Sequence, residues 1–270
     1  MLHDFTKIYL RYLESSGKSP KTLSTYSFAL NKYNKWRIKN YLLIKEVGRD
    51  SIINFRDSLI NEGLKPASIN LCLNVIYSFY DFLTHEGYIK GNPVNIKKNK
   101  VYNEHNQVKP FTAVEIAQIE AFLTNNLTEL RIPILLLLNS GILIKELVKL
   151  TPSDVVLIKR HIFLKITTST KATRLVPLTD DVTAHELLIL TINIFKEFRI
   201  FPITEKSIIR CISFVKEQTG INFSYKRIRK NYSEYLINSG CPRELVRWIL
   251  GYRSSLKVSP EDLFPFTVKV

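Results

Sequence analysis

Cysteine is scarce in this chain of 270 residues, and its three cysteines lie far apart in the sequence. Cys72, Cys211 and Cys241 form no C-x-x-C pair and are odd in number, so the sequence predicts neither a disulfide framework nor a zinc site. We therefore expect no metal ion and no other cofactor. Unpaired thiols of this kind suit a reducing compartment.

Long apolar runs are also missing. The most apolar stretch, 132–138, is far shorter than the roughly 20 residues that cross a bilayer. Near the first residue, Asp4 and Lys7 stand where a secretory signal would have a basic stretch and a long apolar run. The sequence therefore predicts a soluble, cytoplasmic protein with no membrane partner.

Acidic residues are outnumbered by basic ones. The chain has 39 Lys and Arg against 24 Asp and Glu, which gives a formal net charge of +15 at pH 7. Such an excess attracts polyanions, and nucleic acid is the first partner to consider. A ribosomal protein or a merely basic protein would have the same charge, so charge alone leaves these classes open. The sequence indicates no small-molecule substrate.

Helical spacing dominates the first part of the chain. Apolar residues recur at this spacing from Phe5 onward, and further helices are predicted to begin at Ser19-Pro20, Asp50 and Pro66. The last of them ends at Gly87. Residues 1–97 are therefore predicted to form a compact four-helix domain.

A basic linker is predicted next, at 98–110, because this stretch is polar and has no periodicity. Lys97 and Lys98 stand at its start and could contact a phosphate backbone, although a solvated linker without a role explains them equally well. The second domain is predicted at 111–270.

The second domain mixes two kinds of periodicity. Thr112 and Glu115 form a T-x-x-E capping box that opens a helix. Short β-type runs follow, and helices then resume. The runs are predicted at 155–158, 162–166 and 174–178, and the later helices at 183–198, 205–218, 224–238 and 242–250. The predicted fold class is mostly α with a small antiparallel β-sheet.

Four local strings in this second domain resemble motifs of one family. Residues 140–147 keep the Gly, Glu and Leu of a G-L-R-x-S-E-L motif, and 174–178 match R-x-V-P-L. Residues 226–230 stand for H-x-L-R-H, and 250–252 stand for L-G-H. Together with the order of elements, these strings resemble the tyrosine recombinase (phage integrase, Xer-type) family over essentially the whole chain.

The resemblance implies a fold and a setting. It implies an N-terminal four-helix core-binding (SAM-like) domain followed by a domain of the recombinase catalytic type. It also implies a DNA-binding protein associated with DNA integration or site-specific recombination, and with mobile elements. The expected partner is double-stranded DNA, on which a homo-oligomer or a recombinase partner would assemble.

The resemblance also assigns roles to single residues. Family members cleave DNA with a tyrosine nucleophile, while two arginines hold the phosphate and a lysine protonates the leaving oxygen. Arg229 corresponds to the second arginine. Lys171 is the candidate turn lysine, although alignment through 174–178 puts Ser169 at the usual place. An ordinary exposed turn lysine is an equally good reading of Lys171. These two residues are the predicted remnants of the catalytic site.

Several family groups are missing from this chain. Leu143 stands where the family has its first arginine, and Tyr252 stands at the histidine of L-G-H. In the family the nucleophile follows that histidine by about two to three helical turns, yet only Phe264 and Phe266 are aromatic after Tyr252. The sequence therefore predicts a catalytically degenerate recombinase, a pseudoenzyme without a nucleophile.

The remaining predicted contacts to DNA come from one basic helix and from Tyr252, whose hydroxyl could donate a hydrogen bond to a phosphate. The basic residues on the helix are Lys226, Arg227 and Lys230. For Lys226 and Arg229, which lie three residues apart on this helix, a solvated basic helix face is the alternative reading.

Two other functions stay open at this point. An active recombinase could use a tyrosine supplied in trans, with Arg229 and Lys171 completing the site. Alternatively, the fold could serve as a non-catalytic RNA-binding or protein-interaction module, because a fold does not fix a function.

Overall fold

The computed structural model describes residues 5–102, 108–167, 172–192, 194–252 and 255–269. Residues 1–106 and 107–270 form two compact units. The described residues are mostly helical, and a three-stranded antiparallel sheet lies in the second unit. This confirms the predicted fold class.

The first unit is built from helices packed around one core. Both long helices begin with a proline, whose fixed φ suits the first helical position and which has no N–H to leave unpaired. In the core, the hydroxyls of Tyr33 and Tyr80 share a hydrogen bond of 2.7 Å, so neither is left unsatisfied. The helices described here are α1 (Phe5–Ser15), α2 (Pro20–Lys39), α3 (Arg49–Asn61), α4 (Pro66–His85) and α5 (Ile96–Asn99).

The first unit extends into the stretch predicted as a linker. The Asn95 side chain caps the short helix α5 by accepting from the N–H of Lys98 at 3.1 Å. Asn70 then holds the segment after α5 through two hydrogen bonds, to the carbonyl of Val101 at 2.7 Å and from its N–H at 2.8 Å. A single helical turn has no apolar period, so the sequence pattern does not reveal it.

In the order of the chain, the three strands of the second unit stand between two groups of helices. Its elements are α6 (Ala113–Asn126), α7 (Thr128–Ser140), α8 (Ile144–Leu147), β1 (Val155–Ile158), β2 (His161–Thr167), β3 (Thr173–Pro177), α9 (Asp181–Ile192), α10 (Glu205–Thr219), α11 (Tyr225–Asn238) and α12 (Arg243–Ile249). The strands follow the order β1-β2-β3 with antiparallel pairing throughout. The register places Ile166 opposite Arg174.

Helix α7 ends at a point where the backbone lies close to an aromatic ring of α11. Gly141 follows this helix with a φ of +60°, and a Cβ built there would lie 2.5 Å from a ring carbon of Tyr232 on α11. Only glycine fits such a position without displacing the ring. The Tyr232 hydroxyl donates to the carbonyl of Pro177 at 2.8 Å. These contacts hold α7, α11 and β3 in fixed relation beside the candidate site.

The helix predicted at 183–198 is wrong at its end, since α9 stops at Ile192. Phe195 and Phe198 continue the apolar spacing, but the N–H of Phe198 donates to the carbonyl of Phe195 at 3.0 Å in a turn. Both rings are largely exposed and form a T-shaped pair with their centroids 6.1 Å apart. The apolar spacing therefore continues beyond Ile192, but the two phenylalanines that carry it are exposed and do not extend the helix.

The end of the described chain packs against the sheet. A 3₁₀ helix at Glu261–Phe266 buries Leu263 completely and stacks Phe264 on the ring of His161 at 4.3 Å. The N–H of Val268 donates to the carbonyl of Leu178 at 3.0 Å. This segment is therefore anchored within the second unit. Within the described ranges, no helix has the length and apolar character needed to cross a membrane.

Candidate nucleic-acid interface

Two arginines hold the turn that follows α12. The carbonyl of Ile249 accepts from Nε of Arg174 at 2.8 Å, and the carbonyl of Leu250 accepts from Nη2 of Arg229 at 2.8 Å. Gly251 has a φ of +78°, and a Cβ built there would lie 3.0 Å from Cζ of Arg174. Positive charge at a helix C-terminus is favourable because the last carbonyls carry partial negative charge. The Leu250-Gly251-Tyr252 turn is thus fixed from two sides.

Arg229 is half-buried on α11 and is oriented by a tyrosine one helical turn before it. Its Nη1 donates to the hydroxyl oxygen of Tyr225 at 3.3 Å, and this hydroxyl donates to the carbonyl of Ile142 at 3.1 Å. Burial raises the pKa of the Tyr225 phenol, with an opposing effect of the neighbouring Arg229, so the phenol is neutral near pH 7. Within the part of the chain that the structure describes, the other N–H groups of Arg229 have no acceptor and can donate to an anion.

Tyr252 is flanked by two guanidinium groups. Its ring centroid lies 5.8 Å from Cζ of Arg229 and 5.9 Å from Cζ of Arg247, distances at which a cation is attracted to the ring. The side chain is 55% exposed, so its hydroxyl is accessible. Two cations beside an accessible hydroxyl donor make a surface that suits a phosphate.

A buried ion pair lies beneath the same turn. Arg174 binds Glu146 through two hydrogen bonds, Nη1 to Oε1 at 3.2 Å and Nη2 to Oε2 at 2.8 Å. The two side chains are only 6% and 12% exposed. Glu146 also accepts from the N–H of Leu143 at 2.8 Å and so caps α8. Glu146 therefore links the start of α8 to the turn through Arg174.

Leu143 stands at the N-terminus of α8, in the motif where the resemblance places the first arginine. Its side chain is half-buried and apolar, so it can neither donate to a phosphate nor neutralise its charge. Its backbone N–H is already taken by Glu146. This part of the site therefore offers no side-chain donor at position 143.

Arg227 was predicted to face nucleic acid, but the structure turns it inward. Its guanidinium donates to both carboxylate oxygens of Glu115, at 2.8 and 2.7 Å, and stacks on the ring of Phe111 at 4.3 Å. It also donates to the carbonyls of Lys109 and Pro110, at 3.0 Å each. The hydrogen bonds from Arg227 to the Glu115 carboxylate hold the pKa of Glu115 below its ordinary value. The pairing joins residues far apart in sequence, which is why the local pattern does not reveal it.

The predicted lysines have different environments. Lys226 is exposed on α11, whereas Lys230 pairs with Glu234 one turn further along the same helix. Lys97 and Lys98 are exposed on α5 of the first unit. Lys171 lies outside the described residues.

Three residues of this site were missed from the sequence. Tyr225 could have been found, because it stands four residues before Arg229 and therefore on the same helix face. Arg174 is the first residue of the R-x-V-P-L string, but neither its contacts nor those of Arg247 could be predicted, since they depend on how β3 and α12 meet. Among the described residues, no group of three or more His, Cys, Asp or Glu side chains could hold a metal ion.

Comparison with known protein families gives two matches that together span most of the chain. Residues 7–87 match the phage integrase N-terminal SAM-like domain, and residues 109–259 match the phage integrase family. The tyrosine recombinase XerD of Staphylococcus haemolyticus is 23% identical over 262 residues, which cover 90% of this chain and 88% of that protein. XerC of a Shewanella species is 36% identical over 86 residues, which cover 32% of this chain and 28% of that protein.

Solved structures show the same fold. Lambda integrase bound to DNA aligns with a TM-score of 0.71 at 20% identity, over 97% of this chain and 95% of that one. The Tn1549 transposon integrase in complex with circular intermediate DNA also aligns at 0.71, with 14% identity, over 98% and 96% of the two chains. At these identities the likeness establishes the fold.

The fold and the site define a protein of the integrase class, in which a helical SAM-like unit precedes a mostly helical unit with a small sheet. The match at residues 109–259 covers more than half of the chain. This protein therefore belongs to the phage integrase family, the tyrosine recombinases.

Proposed function

We propose that this chain is a member of the tyrosine recombinase family that binds double-stranded DNA without cleaving it. The observation that carries the proposal is the contrast within one site. Arg229 stays oriented toward Tyr252, and its remaining N–H groups have no acceptor among the described residues, whereas Leu143 provides no side-chain donor. The site retains groups that attract a phosphate and lacks groups that the family needs to cut next to it.

DNA binding is supported by charge and geometry. The chain has a formal net charge of +15. The half-buried Arg229, the exposed Arg247 and the Tyr252 hydroxyl form one donor cluster, and the exposed Lys226 stands three residues before Arg229 on α11. We propose that this cluster contacts the DNA backbone, and that Lys97 and Lys98 add phosphate contacts from the first unit. Lambda integrase, which has the same fold, has been solved bound to DNA.

Loss of cleavage is supported by the chemistry of the missing groups. About two to three helical turns after Tyr252, where the family has its nucleophile, the chain carries Ser259, Glu261 and Leu263 rather than a tyrosine. Leu263 is buried and Glu261 pairs with Lys159. Loss of one phosphate-holding donor typically lowers the rate by roughly 10²–10³, and loss of the nucleophile removes the covalent step itself.

The biological setting follows from the family. We propose a role in DNA integration or site-specific recombination, either as a remnant of a mobile element or as a protein that competes with active recombinases for DNA. Lambda integrase has been solved as a dimer on a core site and as a tetramer on a Holliday junction. A similar assembly on DNA, with further copies or with an active recombinase, is part of this proposal.

The test measures binding and cleavage on the same DNA. The purified full chain is incubated with end-labelled linear duplex and with supercoiled plasmid, and each mixture is examined by gel shift and, after denaturation, for a covalent protein–DNA adduct. We expect salt-sensitive binding and no adduct. An adduct from this chain alone would overturn the proposal in favour of an active enzyme.

Two further arms separate the alternatives. If this chain is labelled and mixed with a tyrosine-bearing recombinase, strand cleavage that depends on both proteins would favour a nucleophile supplied in trans. If RNA and heparin compete as well as duplex DNA does, a non-catalytic module of another kind would be favoured. We expect neither result.

A further inference from the structure

A pocket of about 440 Å³ lies over the buried Arg174–Glu146 pair in the second unit. It is bordered by the start of α8, by β2 and by Gly251, so it adjoins the turn that carries Tyr252. Three of the residues lining it are lysines: Lys145, Lys149 and Lys165. Lys149 and Lys165 lie outside the family motifs described above, and Lys145 stands at the serine of G-L-R-x-S-E-L rather than at its phosphate-holding arginine.

The lysines give this pocket an excess of positive charge. All three are exposed, and none forms an ion pair within the part of the chain that the structure describes. The carboxylates at the pocket are already engaged. Glu146 is paired with Arg174, and Asp154 accepts from the N–H and hydroxyl of Thr151 at 2.9 and 3.0 Å.

Three like charges around one cavity repel each other, and this repulsion is relieved when an anion enters. The floor of the pocket is rigid, because Arg174 is held by Glu146 and by the carbonyl of Ile249. An anion at this position would therefore meet mobile ammonium groups around a fixed base. An oxyanion such as phosphate suits ammonium donors of this kind.

We propose that this lysine pocket binds a backbone phosphate of duplex DNA, next to the phosphate contacted by Arg229 and Tyr252. The inference rests on the proposed DNA-binding function and adds a second phosphate site to it. Lysine attracts phosphate as a point charge on a flexible stem, whereas arginine offers a planar fork of fixed geometry. The lysines thus supply affinity near Leu143 without replacing the directed donor that cleavage requires.

The test uses charge-removing substitutions in the full chain. Lys145→Gln, Lys149→Gln and Lys165→Gln are made singly and together, and Lys216→Gln on α10 is the matched control, since Lys216 is exposed and does not line the pocket. Binding of a labelled linear duplex of mixed sequence is measured by anisotropy from about 50 to 200 mM salt. Circular dichroism and thermal melting verify that each variant is folded.

The salt dependence distinguishes the outcomes. Loss of one neutralised phosphate lowers the slope of log K against log[salt] by about 0.9, which weakens binding roughly fivefold near 0.15 M salt. We expect this change in the triple variant and none in Lys216→Gln. An unaltered slope in the triple variant, with normal binding by the unaltered chain, would overturn this inference alone. Absence of binding by the unaltered chain would overturn the proposed function as well.

A free nucleotide is the other source of phosphate. Titration calorimetry with a nucleoside monophosphate at constant ionic strength is expected to show no saturable binding by the unaltered chain. Saturable binding that the triple variant loses, without any change in the DNA slope, would identify a nucleotide pocket and contradict the proposal.

Discussion

Arg229 and Leu143 occupy the two motifs in which the family resemblance places phosphate-holding arginines. Arg229 is oriented by Tyr225 and by the carbonyl of Leu250, whereas Leu143 contributes only a backbone N–H that Glu146 already accepts. Around Leu143, positive charge comes instead from exposed lysines. The comparison teaches that attraction to a phosphate survives with charge alone, while cleavage depends on directed donors and a nucleophile.

The largest expected effect comes from breaking the buried Arg174–Glu146 ion pair, which links the start of α8 to the turn after α12. Arg174→Met leaves Glu146 as a buried, unpaired carboxylate and removes the donor to the carbonyl of Ile249. We expect the free energy of unfolding to fall by about 3–5 kcal/mol, as for other buried pairs that lose one partner. Urea denaturation followed by circular dichroism measures this change.

A matched control is available at the surface. Lys159→Met breaks the exposed pair with Glu261 and should leave the urea midpoint almost unchanged. Equal losses in both variants would show that Arg174 does not hold the turn more firmly than a surface contact does.

The second prediction compares two arginines that are two residues apart on α11. Arg229→Gln should lower the salt slope of DNA binding by about one and weaken binding by about 1.5–3 kcal/mol, because a charge-assisted contact to phosphate is lost. Arg227→Gln should instead reduce stability, because its hydrogen bonds to Glu115 are internal. Anisotropy titrations and urea denaturation are applied to both variants.

Each variant is the control for the other, since the substitution and the helix are the same. If both arginines changed the salt slope equally, Arg227 would contact DNA despite its inward position, and the division between interface and internal ion pair would be wrong.

Much of the fold could be predicted from the sequence. Prolines and capping residues such as Ser19 and Thr112 act within one helical turn, so they mark helix starts without knowledge of distant contacts. β-type runs in the second unit likewise predicted the sheet. The end of α9 was not predictable, because Phe195 and Phe198 have helical spacing and yet are not buried.

The site was less predictable than the fold. Motif positions drew attention to Arg229 and Tyr252, whose contact depends on the meeting of α11 with the turn after α12. The inward position of Arg227 depends on Glu115, far away in sequence. The same holds for the contact between Arg174 and Glu146. Sequence patterns report faces of single elements, whereas these ion pairs arise from packing between elements.

The third prediction concerns the arginine that position 143 lacks. Leu143→Arg adds a guanidinium at the rim of the lysine pocket, so we expect the salt slope to rise by about one and binding near 0.15 M salt to strengthen roughly fivefold. No covalent adduct should form, because the nucleophile is still missing. Leu143→Gln, a polar but uncharged change, serves as the control. An adduct with Leu143→Arg would show that the arginine was the only missing group.

The smallest expected effect concerns the hydroxyl of Tyr252. Tyr252→Phe keeps the ring between Arg229 and Arg247 but removes one neutral hydrogen-bond donor. We expect DNA binding to weaken by about 1 kcal/mol, the usual net value of such a hydrogen bond, with an unchanged salt slope because no charge is lost. Tyr235→Phe, at an exposed tyrosine on the same unit, should change neither quantity. Because Tyr252→Phe keeps the ring, a reduced slope would mean that the hydroxyl also positions at least one of the two guanidinium groups, which would contradict its role as a single neutral hydrogen-bond donor.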